Sequence, residues 1–303
     1  MVVNFETFRN LEISPFSTGL FFSYSPLARD SRYAAFVAVS LQVLASGSRG
    51  NASVISSANT RLLVDCGLSC REICRRLAAT SITPESLSAV IITHEHSDHV
   101  GGLHVMAKKF RLPVFMTRAT HAAWESTFKD SAGNRVRAER LEIFEPGRGF
   151  QIGDIDVMPF TIPHDAADPV GFTFRAEGVK LGYATDLGYM AQNVRLALAG
   201  CHGLLVESNH DLEMLRIGPY PWAVKQRVMS RVGHLSNEAL AEFLASDYDG
   251  EAAFLVLAHL SEQNNHPEIA RAAAERALGG RQNLLGNQLY LARQDECLPA
   301  LTL

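Results

Sequence analysis

The chain has 303 residues, 47% hydrophobic and 20% charged, a composition that fits one large α/β domain or two ordinary ones and excludes a largely disordered chain. Lys and Arg number 28 against 32 Asp and Glu, so the net charge of −4 excludes a histone-like polycation but leaves room for a local basic patch. No apolar run reaches the roughly 18 residues of a membrane helix, so no membrane partner is expected.

Residues 1–36 carry Asn, Pro, Ser, Phe and Tyr without a period and read as an N-terminal extension before one domain over 37–303. They lack the basic start and cleavage pattern of a signal peptide, and the odd count of five cysteines fits a reduced, cytoplasmic chain. Val39–Leu44 predicts a strand, Gly47–Asn51 a tight turn, and Ser53–Ile55 and Arg61–Val64 two further strands. Ser69 caps a helix to Ala79; Cys66, Cys70 and Cys74 around it read as buried thiols rather than zinc ligands. Val90–Ile92 is a buried strand, Val100–Phe110 a helix, Pro113–Met116 a strand, and Thr120–Thr127 a helix before a polar loop. Strands are expected over Ile155–Phe160, Gly171–Arg175, Lys180–Ala184, Leu204–Glu207 and Phe254–Ala258. Helices are expected over Ala191–Ala199, Pro221–Ser230, Asn237–Ala245 and Pro267–Leu278. Two halves emerge, each with strands first and helix–strand units later, which predicts two packed sheets with helices outside. No GxGxxG follows the first strand, so a dinucleotide fold lacks its usual signal.

Thr93-His-Glu-His-Ser-Asp-His99 places three histidines and an aspartate within six residues after an apolar strand. His94 and His96 can aim at one point from an extended turn, while Asp98 and His99 open the next helix and can face a second. Imidazole with carboxylate suits Zn2+, Mn2+ or Fe2+.

This stretch resembles the HxHxDH motif of the metallo-β-lactamase superfamily. Asp65, His164, Asp186 and His259, each after an expected strand, resemble its other motif positions. The resemblance implies an α/β four-layered αβ/βα sandwich with two divalent ions, Zn2+ or Mn2+, at the sheet edge. It implies His94, His96 and His164 on one metal, Asp98, His99 and His259 on the other, Asp186 bridging, and Asp65 orienting a ligand. Such a pair activates water and polarises an electrophile, which makes the expected chemistry hydrolysis of a phosphodiester, thioester or lactam.

Glu207 and His234, taken with His259-Leu-Ser261, resemble an arrangement of ribonuclease Z enzymes, in which a Glu and a late His assist phosphodiester cleavage. Longer runs resemble the bacterial YycJ/WalJ-type group of exonucleases on double-stranded DNA: Ala45–Asn51, Ile162–Gly171, Thr185–Tyr189, Glu207–Asp211, Gly218–Trp222, Gly233–Asn237 and Ala258–Asn265. That resemblance implies a 5′→3′ exonuclease on duplex ends carrying a 5′-phosphate, with Asp98, Asp186, Glu207 and His234 catalytic. Ser48, Arg49, Asn51, Asn209, His210, Tyr220 and Trp222 are the expected substrate contacts: Arg49 for a terminal phosphate, the aromatics for stacking. Lys108–Arg148 holds nine basic and five acidic residues, and Lys108, Lys109, Arg111 and Arg118 are candidates for backbone phosphates if they share a face. The alternatives are a small-molecule or cyclic-nucleotide phosphodiesterase, ribonuclease Z-like RNA processing and, last, a metal-bound scaffold without catalysis.

Overall fold

The structure is a computed structural model, and it describes residues 39–279 and 288–303. The expected extension over 1–36 lies outside the described residues.

The first sheet runs β14-β1-β2-β3-β4-β5-β6, built from β1 (Ser40–Ala45), β2 (Ala52–Ser56), β3 (Arg61–Val64), β4 (Ala89–Ile91), β5 (Val114–Thr117), β6 (Leu141–Phe144) and β14 (Leu301–Thr302). The second runs β13-β12-β11-β10-β9-β8-β7, built from β7 (Phe150–Ile152), β8 (Ile155–Thr161), β9 (Val170–Ala176), β10 (Val179–Ala184), β11 (Gly203–Glu207), β12 (Phe254–Ala258) and β13 (Gln288–Leu291). In each sheet the early strands pair antiparallel and the later ones parallel, as β3–β4–β5–β6 and β10–β11–β12–β13. Parallel neighbours require crossovers, and helices supply them. They are α1 (Cys70–Ala79), α2 (Ser97–Val100), α3 (Leu103–Phe110) and α4 (Arg118–Thr127) on the first half. On the second are α5 (Gln192–Leu198), α6 (Leu212–Ile217), α7 (Trp222–Val228), α8 (Asn237–Ser246) and α9 (Pro267–Leu278).

Strand alternation explains the layering. In β3 and β4, Leu62, Val64, Ala89 and Ile91 face a core shared with the second sheet, while Leu63 and Val90 face a core with Ile73, Leu77, Leu103 and Trp124 from the helices. In β12, Phe254, Val256 and Ala258 join the shared core, and Leu255 and Leu257 pack on Leu240, Phe243 and Ala270. Three cores for two sheets and two helical layers make the expected four-layered sandwich.

The helix expected over 100–110 is two helices. The first begins at Ser97 and the chain breaks at Gly101–Gly102, because the 66–68 loop passes too close for a side chain there: a Cβ on Gly102 would collide with the Leu68 carbonyl. The same crowding pins the loop, with Cys66 N–H donating to His99 O at 2.7 Å and Gly102 N–H to Cys66 O at 2.8 Å.

Candidate metal centre

Five side chains of the centre leave the ends of neighbouring strands. Asp65 follows β3, His94 lies just past β4, Asp186 follows β10, Glu207 ends β11 and His259 follows β12. His96, Asp98 and His99 enter through α2, and His164 through the loop after β8. Because β3–β4 and β10–β12 run parallel, these ends meet at one edge of the sandwich. Asp65, Asp186 and His259 hold the left-handed backbone conformation, with φ of 60°, 62° and 56°. Such a turn aims the side chain back across the strand end.

All seven residues that the sequence offers as ligands come together. His94, His96 and His164 form one group whose donor atoms lie within 4.8 Å of one another; Asp98, His99 and His259 form a second. Asp186 stands between them, its Oδ2 3.3 Å from His99 Nε2 and its Oδ1 3.9 Å from His164 Nε2. Among the described residues the Cys66, Cys70 and Cys74 thiols join no such group, and burial pushes the Cys70 thiol up to about 11, as inert buried thiols require.

Three of the imidazoles, those of His99, His164 and His259, are fixed from behind. Asp65 Oδ2 takes His99 Nδ1 at 2.8 Å, and is itself held by Thr93, whose N–H reaches Asp65 Oδ1 at 2.9 Å. His164 donates Nδ1–H to the Gly233 carbonyl at 3.0 Å. Glu207, fully buried, accepts from His259 Nδ1 at 2.9 Å and His234 Nδ1 at 2.8 Å on one oxygen. Its other oxygen accepts the N–H groups of Leu187 at 2.6 Å and Leu235 at 3.0 Å. These bonds set the tautomer and leave Nε2 of His99, His164 and His259 facing the cluster. His94 Nε2, Asp186 Oδ2 and His259 Nε2 are buried with no hydrogen-bond partner. Orphaned donors of this kind at one point, all N and O, fit divalent cations.

The protonation pattern agrees. Burial and the neighbouring imidazoles push His94 well down, so its ring is neutral. Burial also opposes charge on His99 and His259, but Asp186 with Asp65 and Asp98 outweighs it at His99, and Asp186 with Asp98 and Glu207 at His259. Both stay protonated well above the ordinary histidine range when no cation is present. A cation binds the neutral ring, so metal uptake near pH 7 should release protons and tighten as pH rises. Calorimetric titration of Zn2+ in buffers of different ionisation enthalpy measures this. A heat independent of buffer would show that His99 and His259 are already neutral before the cation binds.

A cleft of about 200 Å3 opens over the cluster, lined by Ser48, His96, Asp98, Asp186, Asn209, His210, Tyr220, Arg227, Val228, His234, His259, Ser261 and Asn264. Of the expected substrate contacts, Ser48, Asn209, His210 and Tyr220 thus reach it. Asn209 also ties down the His259 loop through Nδ2 to His259 O at 2.8 Å, and burial takes His210 down to about 4, leaving it neutral.

Three expected contacts are not brought there. Arg49 turns to the surface, where Glu262 at 2.6 Å and Asp295 at 2.8 Å take its guanidinium. Asn51 is buried, its side-chain carbonyl capping Gly47 N–H at 2.9 Å and its amide 3.1 Å from His99 Nε2, so it builds the turn. Trp222 opens α7 and stays 63% exposed outside the cleft. The four basic candidates also part: Lys108 and Lys109 line a groove between α3 and the 128–136 loop with Lys129, Arg111 caps the end of α3, and Arg118 lines another hollow with Glu142 and Glu145. Arg227 is the cleft residue that sequence reasoning missed. Its Nε donates to Asp165 Oδ2 at 2.5 Å, and that carboxylate neighbours His164 Nε2 at 3.5 Å. Its only sequence signal was its place after the Gly218–Trp222 run.

Comparison with known proteins adds three findings. The Beta-lactamase superfamily domain matches residues 60–260. The chain is 37% identical over 257 residues to exodeoxyribonuclease YycJ of Bacillus anthracis, covering 85% of this chain and 96% of that one. It is 38% identical to exodeoxyribonuclease WalJ of Streptococcus pneumoniae, covering 75% and 84%. In structure it is similar to the metallo-β-lactamase fold protein YhfI from Bacillus subtilis, with a TM-score of 0.62 at 15% identity, over 86% of this chain and 99% of that one.

Proposed function

Because the chain belongs to the metallo-β-lactamase superfamily, and is 37% and 38% identical to two exodeoxyribonucleases over the 85% and 75% of it that they match, we propose that it is a metal-dependent exonuclease on DNA. We assign it two divalent ions, Zn2+ or Mn2+, held by His94, His96 and His164 and by Asp98, His99 and His259, with Asp186 shared. Its substrate is a duplex end with a 5′-phosphate, cut in the 5′→3′ direction. The catalytic domain is residues 37–303, and the free thiols suit a reducing cytoplasm.

One observation carries the reading. A single oxygen of Glu207 grips both His259, a ligand, and His234, which reaches the cleft and lies 3.6 Å from Asp186. His234 groups with Asp186, Glu207 and His259 but is not one of the seven expected ligands. Burial opposes its charge, but Glu207 outweighs this and holds the ring's pKa up, so a proton is kept on Nε2, opposite the tethered Nδ1. That is the position from which a proton passes to the oxygen leaving phosphorus. When bound, the two ions supply the positive charge that polarises the phosphoryl oxygens and activates water. Arg227, tethered at Nε, presents a guanidinium matched to a second phosphate, the task that Arg49 is not placed to perform.

The direct test offers 5′-phosphorylated and unphosphorylated duplexes, single strands, RNA and cyclic nucleotides, each with Zn2+ or Mn2+. Duplex DNA should be degraded fastest. Rapid hydrolysis of a cyclic phosphodiester with no cleavage of any DNA would replace the reading with that of a small phosphodiesterase. In the same assay His234→Ala should cut turnover on DNA by about 100-fold while DNA binding, followed by anisotropy in Ca2+, changes far less. Comparable losses in both would make His234 a binding residue instead.

The groove of Lys108, Lys109 and Lys129 supplies cations for the DNA backbone. Changing all three to Glu should weaken binding and flatten the plot of log affinity against log salt by about 0.9 for each phosphate no longer neutralised. An unaltered slope would remove the groove from the DNA path.

A further inference from the structure

The hairpin of α6 and α7, which follows β11 and returns to His234, is unusual in what it leaves in water. Among the described residues twelve large apolar side chains are exposed, and Leu212, Ile217, Trp222, Val224, Met229 and Val232, six of them, fall within residues 212–232. Each helix buries only one residue, Leu215 in α6 and Lys225 in α7, and Lys225 Nζ is used within the hairpin on Arg216 O at 2.8 Å. Such a concentration of exposed apolar surface marks an interaction site.

The base of the hairpin is fixed to the metal centre. Asn209 N–H donates to Leu235 O at 2.8 Å, Asp211 N–H to Asn264 O at 2.9 Å and Asp165 N–H to Val232 O at 3.0 Å. At the tip, Pro219 and Pro221 fix φ on either side of Tyr220 and stiffen the turn. The arm is therefore held at its base and at its turn, which lies against Asn264, and its inner side, through Tyr220, Arg227 and Val228, is a wall of the cleft while its apolar side chains stay in water. Over 211–232 it carries four basic and two acidic residues on a chain that is acidic overall.

The cleft itself sets a demand. At about 200 Å3 it has room for a phosphate and its sugar but not for two paired strands. A duplex end must open before one strand reaches the metals. We propose that the α6–α7 hairpin opens it: Ile217 and Trp222 take up the bases of the terminal pair, while the neighbouring cations follow the backbone into the cleft. Base faces suit this surface because they are flat, apolar and tolerant of sequence, and become available only as the end frays. The inference rests on the nuclease reading above and names how that site receives a duplex.

The test compares a blunt duplex with one whose 5′ end is already unpaired for three nucleotides, using wild type and the Ile217→Ser/Trp222→Ser double variant. All rates are referred to hydrolysis of bis(4-nitrophenyl) phosphate by the same preparation, which corrects for damage to the metal centre. The variant should lose at least about fivefold on the blunt end relative to the opened one. In Ca2+, 2-aminopurine at the second pair, which loses a stacking neighbour when the terminal pair opens, should brighten when wild type binds and stay dark with the variant. An unchanged blunt-to-opened ratio overturns the proposal, and does so equally if the variant also shifts a dimer to a monomer, which would assign this face to a second copy of the chain. Failure of the wild type to cut either DNA overturns the nuclease reading, and this proposal with it.

Discussion

Asp186→Ala should lower phosphodiester hydrolysis by about 1000-fold. The Asp186 carboxylate is buried between the two histidine-containing groups, within 3.4 Å of His259 Nδ1 and 3.3 Å of His99 Nε2. Several kcal/mol of transition-state stabilisation come from metal ions placed correctly, and each ~1.4 kcal/mol is tenfold in rate. Ala also fits poorly at a φ of 62°, so Asp186→Asn, which tolerates that conformation, separates backbone from charge. Both variants should lose activity, and metal analysis of both should fall below two ions per chain. Full activity in the Asn variant would show that the charge of Asp186 is not needed, and the bridging assignment would fail.

Glu207→Gln should be nearly as damaging, by a different route. Glu207 is acceptor to four N–H groups: two backbone amides and the Nδ1 atoms of His234 and His259. Its burial works against its charge, but the two histidines outweigh this and hold its carboxyl far below the usual range. Gln replaces half of that acceptor capacity with a donor. His259 must then turn or switch tautomer, moving its proton to the nitrogen that faces the cluster. Removing a residue that orients a ligand costs about 10- to 100-fold in metal affinity. Leaving a buried charged partner unpaired costs about 3–5 kcal/mol of stability. Chelator competition and urea unfolding read the two effects separately. Wild-type metal affinity in Glu207→Gln would remove Glu207 from the support of the centre.

What the sequence made legible follows from local signal. The strands that present ligands are short apolar runs ending in a polar residue, so Asp65, His94, Asp186, Glu207 and His259 could each be placed at a strand end. The capped helices α1, α8 and α9 were equally plain, Ser69 and Ser236 each accepting an N–H of the first turn. The edges were not. β14 has two residues and pairs with β1 across almost the whole chain, as Leu41 with Leu301, and β6 exposes Glu142 and Ile143, so neither carries a pattern of its own. The same limit applies at the cleft. Arg49 stood in a glycine turn suited to phosphate, but Glu262 and Asp295, more than two hundred positions away, claim it. Arg227 lines the cleft from a helix exposed on nearly every side, where sequence gives no reason to prefer one basic residue over another.

The left-handed turns at Asp65, Asp186 and His259 give this protein an unusual relation between durability and use. Residues with a Cβ occupy that conformation at a cost of about 1–2 kcal/mol each, and glycine does not. Three such positions in one centre are a sizeable share of the ~5–15 kcal/mol by which a folded domain outlasts its unfolded chain. Glycine at 65, 186 or 259 would relieve the strain, but at 65 and 259 it would also strip Thr93, His99 and Glu207 of buried partners, a loss larger than the strain. A search for hardier variants guided by melting temperature alone would therefore gain little at these turns, because the side chains that impose the strain also satisfy the buried groups around them.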